Sequence, residues 1–310
     1  MMFTRIVDFR KNSVAQWAPT DSEKNYRPNQ EGGTLNYSKD AFDYQYNSDG
    51  FRCSEFTEKS DFPILYAGCS FTEGIGLPLD HCWPHYFSEI VKEQPGNENF
   101  TMPLHSVAVG GTGVDFAADM ITRFTPIVKP KLIVGYFCSM YRREFCMQDY
   151  HLQQWFPNIE TLPPFKKELQ KIFSDQQFAL YQTFRSLQTI SLSAQLHRSK
   201  AFVFFDDDTW LTEEFAALFP EVTIRPVPIV LTPATRELDS LPLMARDNAH
   251  HGAKWQHSLA TLMADTVIPT INPSYRTRST FLPPLLTNHP PSPSLAVRVL
   301  KEIPRPSWLT

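Results

Sequence analysis

Five short apolar runs constrain the fold of this chain more than any other feature. They are "PILYAG" (63–68), "LHSVAVGG" (104–111), "PKLIVGYF" (130–137), "KAFVFF" (200–205) and "VTIRPVPIV" (222–230), each bounded by polar, Gly or Pro residues. Runs this short, apolar on both faces, suit strands buried on both sides of a parallel sheet. Between them lie helical patterns. "WPHYFSEIVKE" puts Pro84 where a first helical turn accepts proline, with Phe87, Ile90 and Val91 at helical spacing. "VDFAADMITRF" sets Phe116, Met120 and Ile121 on one face, residues 165–198 carry a longer helical stretch, and "GAKWQHSLATLMADTVI" is the last helix. Strands that alternate with helices build βαβ units, which predicts an α/β fold: a flavodoxin-like three-layer α/β/α sandwich with a parallel central sheet.

The flanks differ in texture. Residues 1–60 are polar and aromatic with turn signals ("RPNQEGG", "YNSDGF"), as expected for an N-terminal arm packing on the core, while 61–269 form the α/β domain. The stretch 270–310 holds eight prolines, at 273, 283, 284, 290, 291, 293, 304 and 306, which makes it an extended proline-rich tail. Its leucines, Phe281 and Trp308 suit docking on its own core or on a protein partner. No internal repeat is evident.

Twenty-nine basic against 33 acidic side chains give a net charge of −4, so no electrostatic footprint for nucleic acid is visible. No run of about 18 apolar residues is present, and the start lacks the apolar centre of a signal peptide, so no membrane span and a cytoplasmic or virion-associated chain are expected. The five cysteines, at 53, 69, 82, 138 and 146, are odd in number without a C-x-x-C pair, as for reduced thiols.

In open α/β sheets, reactive residues collect at the carboxyl ends of the strands. Ser70 follows the first run, Gly110 and Gly111 the second, Ser139 the third and Asp206–Asp208 the fourth. The loop "ARDNAHHG" before the last helix offers Asp247 with His250 three residues on, a spacing that brings both to one side of a turn. A hydroxyl, an imidazole, a carboxylate and oxyanion donors are the parts of nucleophilic ester hydrolysis. The surroundings of Ser70, "GCSFT", do not match the G-x-S-x-G elbow of α/β-hydrolases.

These residues carry a resemblance to the SGNH, or GDSL-like, hydrolase superfamily. "GCSFTEGIGLP" is similar to that family's first block, in which Gly-Asp-Ser presents the nucleophile, and "NSDGFRCSEF" resembles the N-x-x-G-F-R stretch that often precedes it. "AVGGTG" resembles the second block and "ARDNAHHGAKWQHSLA" the last, D-x-x-H followed by glycine and a helix. The resemblance implies the SGNH fold, Ser70 as nucleophile, His250 as base and Asp247 as its orienting acid, without metal or organic cofactor. The Ser70 and Gly111 amides would hold the oxyanion. The chain departs from the pattern twice: Cys69 replaces the Asp of Gly-Asp-Ser, and Ser139 stands where the family places an asparagine donor. The implied activity is ester hydrolysis through an acyl-enzyme, removing a small acyl group such as O-acetyl from a glycan or similar small substrate.

Alternatives stand beside these readings. His251 is the base if the register shifts by one, and otherwise a surface or substrate-contacting residue. Arg142 and Arg143 offer charge for an anionic substrate group, against an exposed salt-bridging face. The three carboxylates of "FFDDDTW" have no histidine nearby in sequence, so a metal site is not expected there. Cys69 reads as a buried small hydrophobe or a reactive thiol, and Trp83, Tyr86, Phe87 and Trp255 as core. For the whole chain, the second reading is a binding or structural protein, such as a virion or surface-assembly component, that keeps the fold without the catalysis. A phosphate-binding module is disfavoured because the loop after Gly68 has few glycines and no lysine.

Overall fold

The computed structural model describes residues 4–18, 20–26, 37–146, 152–155, 172, 174–206, 211, 213–227, 242, 244–247 and 249–275. The central sheet has five parallel strands: β1 (Ile64–Gly68), β2 (His105–Ser106), β3 (Leu132–Phe137), β4 (Lys200–Phe205) and β5 (Val222–Pro226). Their order is β2-β1-β3-β4-β5, the doubly wound order of flavodoxin-like sheets. All five apolar runs contribute a strand.

Among the described residues, four long helices cover the sheet: α1 (Trp83–Lys92), α2 (Val114–Val128), α3 (Gln176–His197) and α4 (Ala253–Val267). The alternation of side chains along each strand divides the core between them. Leu65, Ala67, Ile133, Phe137, Ala201, Val203 and Phe205 face one layer, where Phe116, Ile121 and Phe124 of α2 meet Leu187 and Ile190 of α3. Ile64, Tyr66, Leu132, Val134, Tyr136, Phe202 and Phe204 face the other, against Trp83, Phe87 and Ile90 of α1 and Leu259 and Met263 of α4. Trp83 and Phe87 are fully buried, whereas Tyr86 and Trp255 pack on this layer while partly exposed.

Within the stretch expected to be helical from 165, helix α3 begins at Gln176, where the Asp175 carboxylate accepts the Phe178 amide at 2.7 Å as an N-cap, and Ile172 ahead of it is also helical. Residues 165–171 and 173 lie outside the described residues, as do 228–230 of the fifth run and the tail from 276 onward.

The described residues among the first sixty make specific contacts with the sheet domain. Val14–Ala15 pairs antiparallel with Tyr44–Gln45, and Val7, Phe51 and Phe56 enter the α2/α3 layer. The "NSDGFR" stretch has a clear local cause. The Asn47 side-chain oxygen accepts the Asp49 and Phe51 amides at 3.0 and 2.9 Å, closing a turn that sends Phe51 into the core and Arg52 towards the end of β1.

Candidate active site

The strand ends converge as parallel pairing requires. At the end of β1 the chain turns at once into one helical turn, Ser70–Glu73, capped by Cys69 and closed by Gly74. Gly68 makes this turn possible by close approach: a Cβ there would lie 2.1 Å from Thr72 Oγ1 and 2.5 Å from the Tyr136 carbonyl oxygen. Beyond β2 the chain runs on beside β1, with the Val107 amide on the Tyr66 carbonyl at 2.8 Å and the Val109 amide on that of Gly68 at 3.2 Å. This carries the glycine pair to the serine. A Cβ on Gly110 would stand 3.6 Å from that of Ser70, and Gly111 turns the chain at φ +84°.

The third contribution comes from the loop before α4. His250 Nε2 lies 2.8 Å from Ser70 Oγ, across 180 residues of sequence, and His250 Nδ1 lies 2.6 Å from Asp247 Oδ2. The other Asp247 oxygen accepts the Ala249 and His250 amides, both at 3.0 Å. The D-x-x-H spacing therefore closes a turn on its own carboxylate, which fixes the imidazole with one nitrogen on the acid and the other on the hydroxyl. Ser70 and Asp247 are buried, and His250 keeps an exposed edge.

His251 points elsewhere. Its ring stacks on Trp255 at 4.7 Å and on Phe71 at 5.8 Å, with its outer edge exposed. Partial burial of the ring, and then the charge of His250, hold its pKa below the usual histidine value. Phe71 also meets His250 edge-on at 5.2 Å, so Phe71, His251 and Trp255 form an aromatic shelf beside the imidazole.

Ser139 follows β3, and its hydroxyl oxygen accepts the Tyr141 amide at 3.2 Å. That bond leaves its O–H to donate. Among the described residues, no hydrogen bond joins Ser139 to Ser70 or His250. Of the two arginines beyond it, Arg143 does not form an exposed salt-bridging face. It is buried, and its guanidinium donates to the carbonyls of Arg142 at 2.7 Å and Ala179 at 2.6 Å. Arg143 pairs the strand Arg143–Cys146 with Leu152–Trp155 and is held by α3, which removes it from the surface. Asp206 accepts a short hydrogen bond from the Tyr136 hydroxyl, while Asp207 and Asp208 lie outside the described residues. No three histidine, cysteine, aspartate or glutamate side chains among the described residues come together as a metal site.

Three residues that the sequence reading passed over hold this site in shape. Glu73, fully buried, accepts the Gly110 amide and an Arg10 guanidinium N–H at 2.7 Å. It thereby ties the serine turn to the glycine loop, and occupies one of the loop's two amides. Arg52 donates to the carbonyls of Glu73, Gly74 and Leu77 at 3.2, 2.6 and 2.7 Å, satisfying the open C-terminal end of the serine turn. Arg246, beside Asp247, pairs with buried Asp21 at 2.6 Å. Glu73 stands three residues after Ser70, within one helical turn of it, but nothing local signals its partners.

Burial pushes the Asp247 carboxyl up, yet the hydrogen bond and charge of His250 and the two loop amides outweigh it and hold its pKa below the usual aspartate value. A carboxyl depressed in the folded state stabilises the fold above its unfolded pKa, and that contribution is lost as pH falls through the folded value. Urea midpoints of wild type and Asp247→Asn between roughly pH 5 and pH 2 check this. The wild type should lose stability more steeply, and parallel profiles would show that the carboxylate is not held ionised.

No family model matches the sequence, and no curated protein matches it at a significant level. Solved structures are similar in fold. The crystal structure of TesA is 14% identical, with a TM-score of 0.39 over 68% of this chain and 98% of that one. The psychrotrophic esterase EstA from Pseudoalteromonas sp. is 11% identical, with a TM-score of 0.42 over 68% of this chain and all of the other (100%). A GDSL-like lipase from Bacteroides thetaiotaomicron is 9% identical, with a TM-score of 0.36 over 67% and 88%. Identities this low bear on the fold alone. Among the described residues no helix is long and apolar enough to cross a membrane.

Proposed function

We propose that this protein is a serine ester hydrolase acting through an acyl-enzyme. The observation that carries the proposal is the unbroken line Ser70 Oγ, His250 Nε2, His250 Nδ1, Asp247 Oδ2, with links of 2.8 and 2.6 Å. A hydroxyl is a weak nucleophile unless a base takes its proton as it attacks, and a base that is itself held by a carboxylate is positioned and stabilised as a cation. In the proposed sequence Ser70 Oγ attacks the acyl carbon while His250 Nε2 takes its proton. The negative charge that gathers on the carbonyl oxygen is held by the Ser70 and Gly111 amides and the Ser139 hydroxyl. His250 then returns the proton to the departing alcohol, and water enters by the same route in reverse to release the acid.

With the Gly110 amide taken by Glu73, the glycine loop offers Gly111 to the oxyanion. Removing one oxyanion donor costs roughly 3 to 4 kcal/mol of transition-state stabilisation, so the number of donors sets the rate. A small acyl group on a glycan fits the aromatic shelf of Phe71, His251 and Trp255, whose ring faces suit the apolar face of a sugar. The exposed edge of His251 and the charge of Arg142 are the further substrate contacts in this reading.

A fluorophosphonate probe tests the proposal because it reacts with activated serines. Wild type should be labelled at Ser70, with no labelling of Ser70→Ala or of heat-unfolded protein. A folded wild type that stays unlabelled would leave a binding or structural protein on the same fold.

A further inference from the structure

We infer that Cys69 and Cys138 are an oxidation-sensitive dithiol set against the proposed nucleophile, and that a hydroperoxide converts the pair to a disulfide. The placement follows from the strand ends. Cys69 is the first residue after β1 and Cys138 the first after β3, and with Gly68 opposite Tyr136 the parallel register sets Cys69 across from Phe137, one residue before Cys138. Strands about 4.8 Å apart with a rise of about 3.3 Å per residue put such diagonal neighbours roughly 6 Å apart, inside the range of Cα separations that a disulfide spans. The two sulfurs already face each other at 3.5 Å, a thiol–thiol hydrogen bond. Bond formation needs them to close by about 1.5 Å. Among the described residues, Cys53 and Cys82 bond to backbone carbonyls and the Asn47 side chain rather than to a thiol.

A peroxide approaches the pair from the side of Cys138, which is partly exposed, whereas Cys69 is buried. The hydrogen bond from Cys138 lowers the Cys69 pKa against the opposing effect of burial, and the Arg142 guanidinium lowers it further, so the negative charge of the pair rests on Cys69 and the proton on Cys138. The Cys69 sulfur bonds to one peroxide oxygen, the O–O bond breaks, and the departing hydroxide takes the Cys138 proton to leave as water. Cys69 is then a sulfenic acid. The Cys138 thiolate attacks its sulfur, the S–S bond forms and the S–O bond breaks, releasing hydroxide. Two electrons pass from the thiols to the peroxide.

The positions on either side give the disulfide its consequence. Cys69 adjoins Ser70, and Cys138 adjoins Ser139. Drawing the sulfurs together moves both neighbours, and misplacing a reacting group by about 1 Å costs on the order of 10²-fold in rate. This effect on hydrolysis rests on the proposed function, whereas the disulfide itself does not.

The experiment treats the full chain with hydrogen peroxide, blocks remaining thiols with iodoacetamide and maps the digested protein by mass spectrometry, with hydrolysis of p-nitrophenyl acetate followed in parallel. The expected result is a Cys69–Cys138 linked peptide, lighter by two hydrogens and reversed by dithiothreitol, with reversible loss of hydrolysis. Cys138→Ser should lack the link and keep its hydrolysis under the same treatment. Cys69→Ala provides a second variant that cannot form the bond. Free Cys69 and Cys138 in peroxide-treated protein whose exposed Cys146 is oxidised would overturn the dithiol. A linked peptide with unchanged hydrolysis would overturn its control of the site. If untreated protein has no hydrolysis, the peptide map still decides the disulfide.

Discussion

Ser70→Ala is expected to lower kcat for p-nitrophenyl acetate by at least about 10⁴-fold, and His250→Ala to fall to nearly the same floor. A loss of that size corresponds to roughly 5.5 kcal/mol of transition-state stabilisation. The reason lies in the 2.8 Å contact between the hydroxyl and the imidazole, which makes the two a single proton-transferring unit. Once either is gone, the other has nothing to act on, so the double variant should be no slower than the single ones. What survives is the contribution of the oxyanion donors, which neither substitution removes. Both side chains sit at the edge of the core, and both variants should unfold close to the wild-type temperature. Equal rates for wild type, Ser70→Ala and His250→Ala would remove the proposed mechanism. Additive losses would mean that serine and histidine work separately.

The second large effect falls on stability. Arg246→Met is expected to destabilise the protein by about 3 to 5 kcal/mol, because it leaves the Asp21 carboxylate buried without its cation. Arg246 and Asp21 are both completely enclosed, 225 residues apart in sequence. The guanidinium also donates to the carbonyls of Gln16, Lys39 and Phe42 at 2.6, 2.8 and 3.1 Å, and lies over the rings of Phe42 and Trp17 at 3.9 and 4.5 Å. On its own side, the Arg246 amide donates to the Gly76 carbonyl at 2.7 Å. One residue therefore clamps Gln16, Asp21, Lys39 and Phe42 onto the loop that carries Asp247. Thermal unfolding should shift by roughly 10 °C, and hydrolysis should weaken as well, since Asp247 loses its neighbour's anchor. Removing both charges, in Arg246→Met with Asp21→Leu, should recover much of the stability, because an emptied ion pair costs less than a broken one. A single variant as stable as wild type would show that the clamp is solvated and weak.

The legible part of this chain was its periodic part. The sheet strands, the two faces of each strand and the place of Pro84 in the first turn of α1 follow from apolar runs and helical spacing, which are properties of neighbouring residues. Helix α3 shows the limit of that signal: the pattern gave a helical stretch, but the start at Gln176 within it is set by a single capping bond at Asp175. Arg143 shows another. A charged residue in a polar stretch reads as surface, and only its bonds to Ala179 and Thr183 of α3 explain its burial.

At the site the same division holds. By itself the sequence determined that a serine closes the first strand, that a glycine pair closes the second, and that Asp247 and His250 share a turn, since each is a matter of a few consecutive residues. The tertiary structure decided that His250 and not His251 meets Ser70, that Glu73 takes the Gly110 amide, that Arg246 locks onto Asp21, and that Cys69 faces Cys138. Those contacts join segments between 37 and 225 residues apart, through side chains that no local period orders. Only the strand order β2-β1-β3-β4-β5, which brings β1 between the glycine loop and the cysteine of β3, places them within reach of one another.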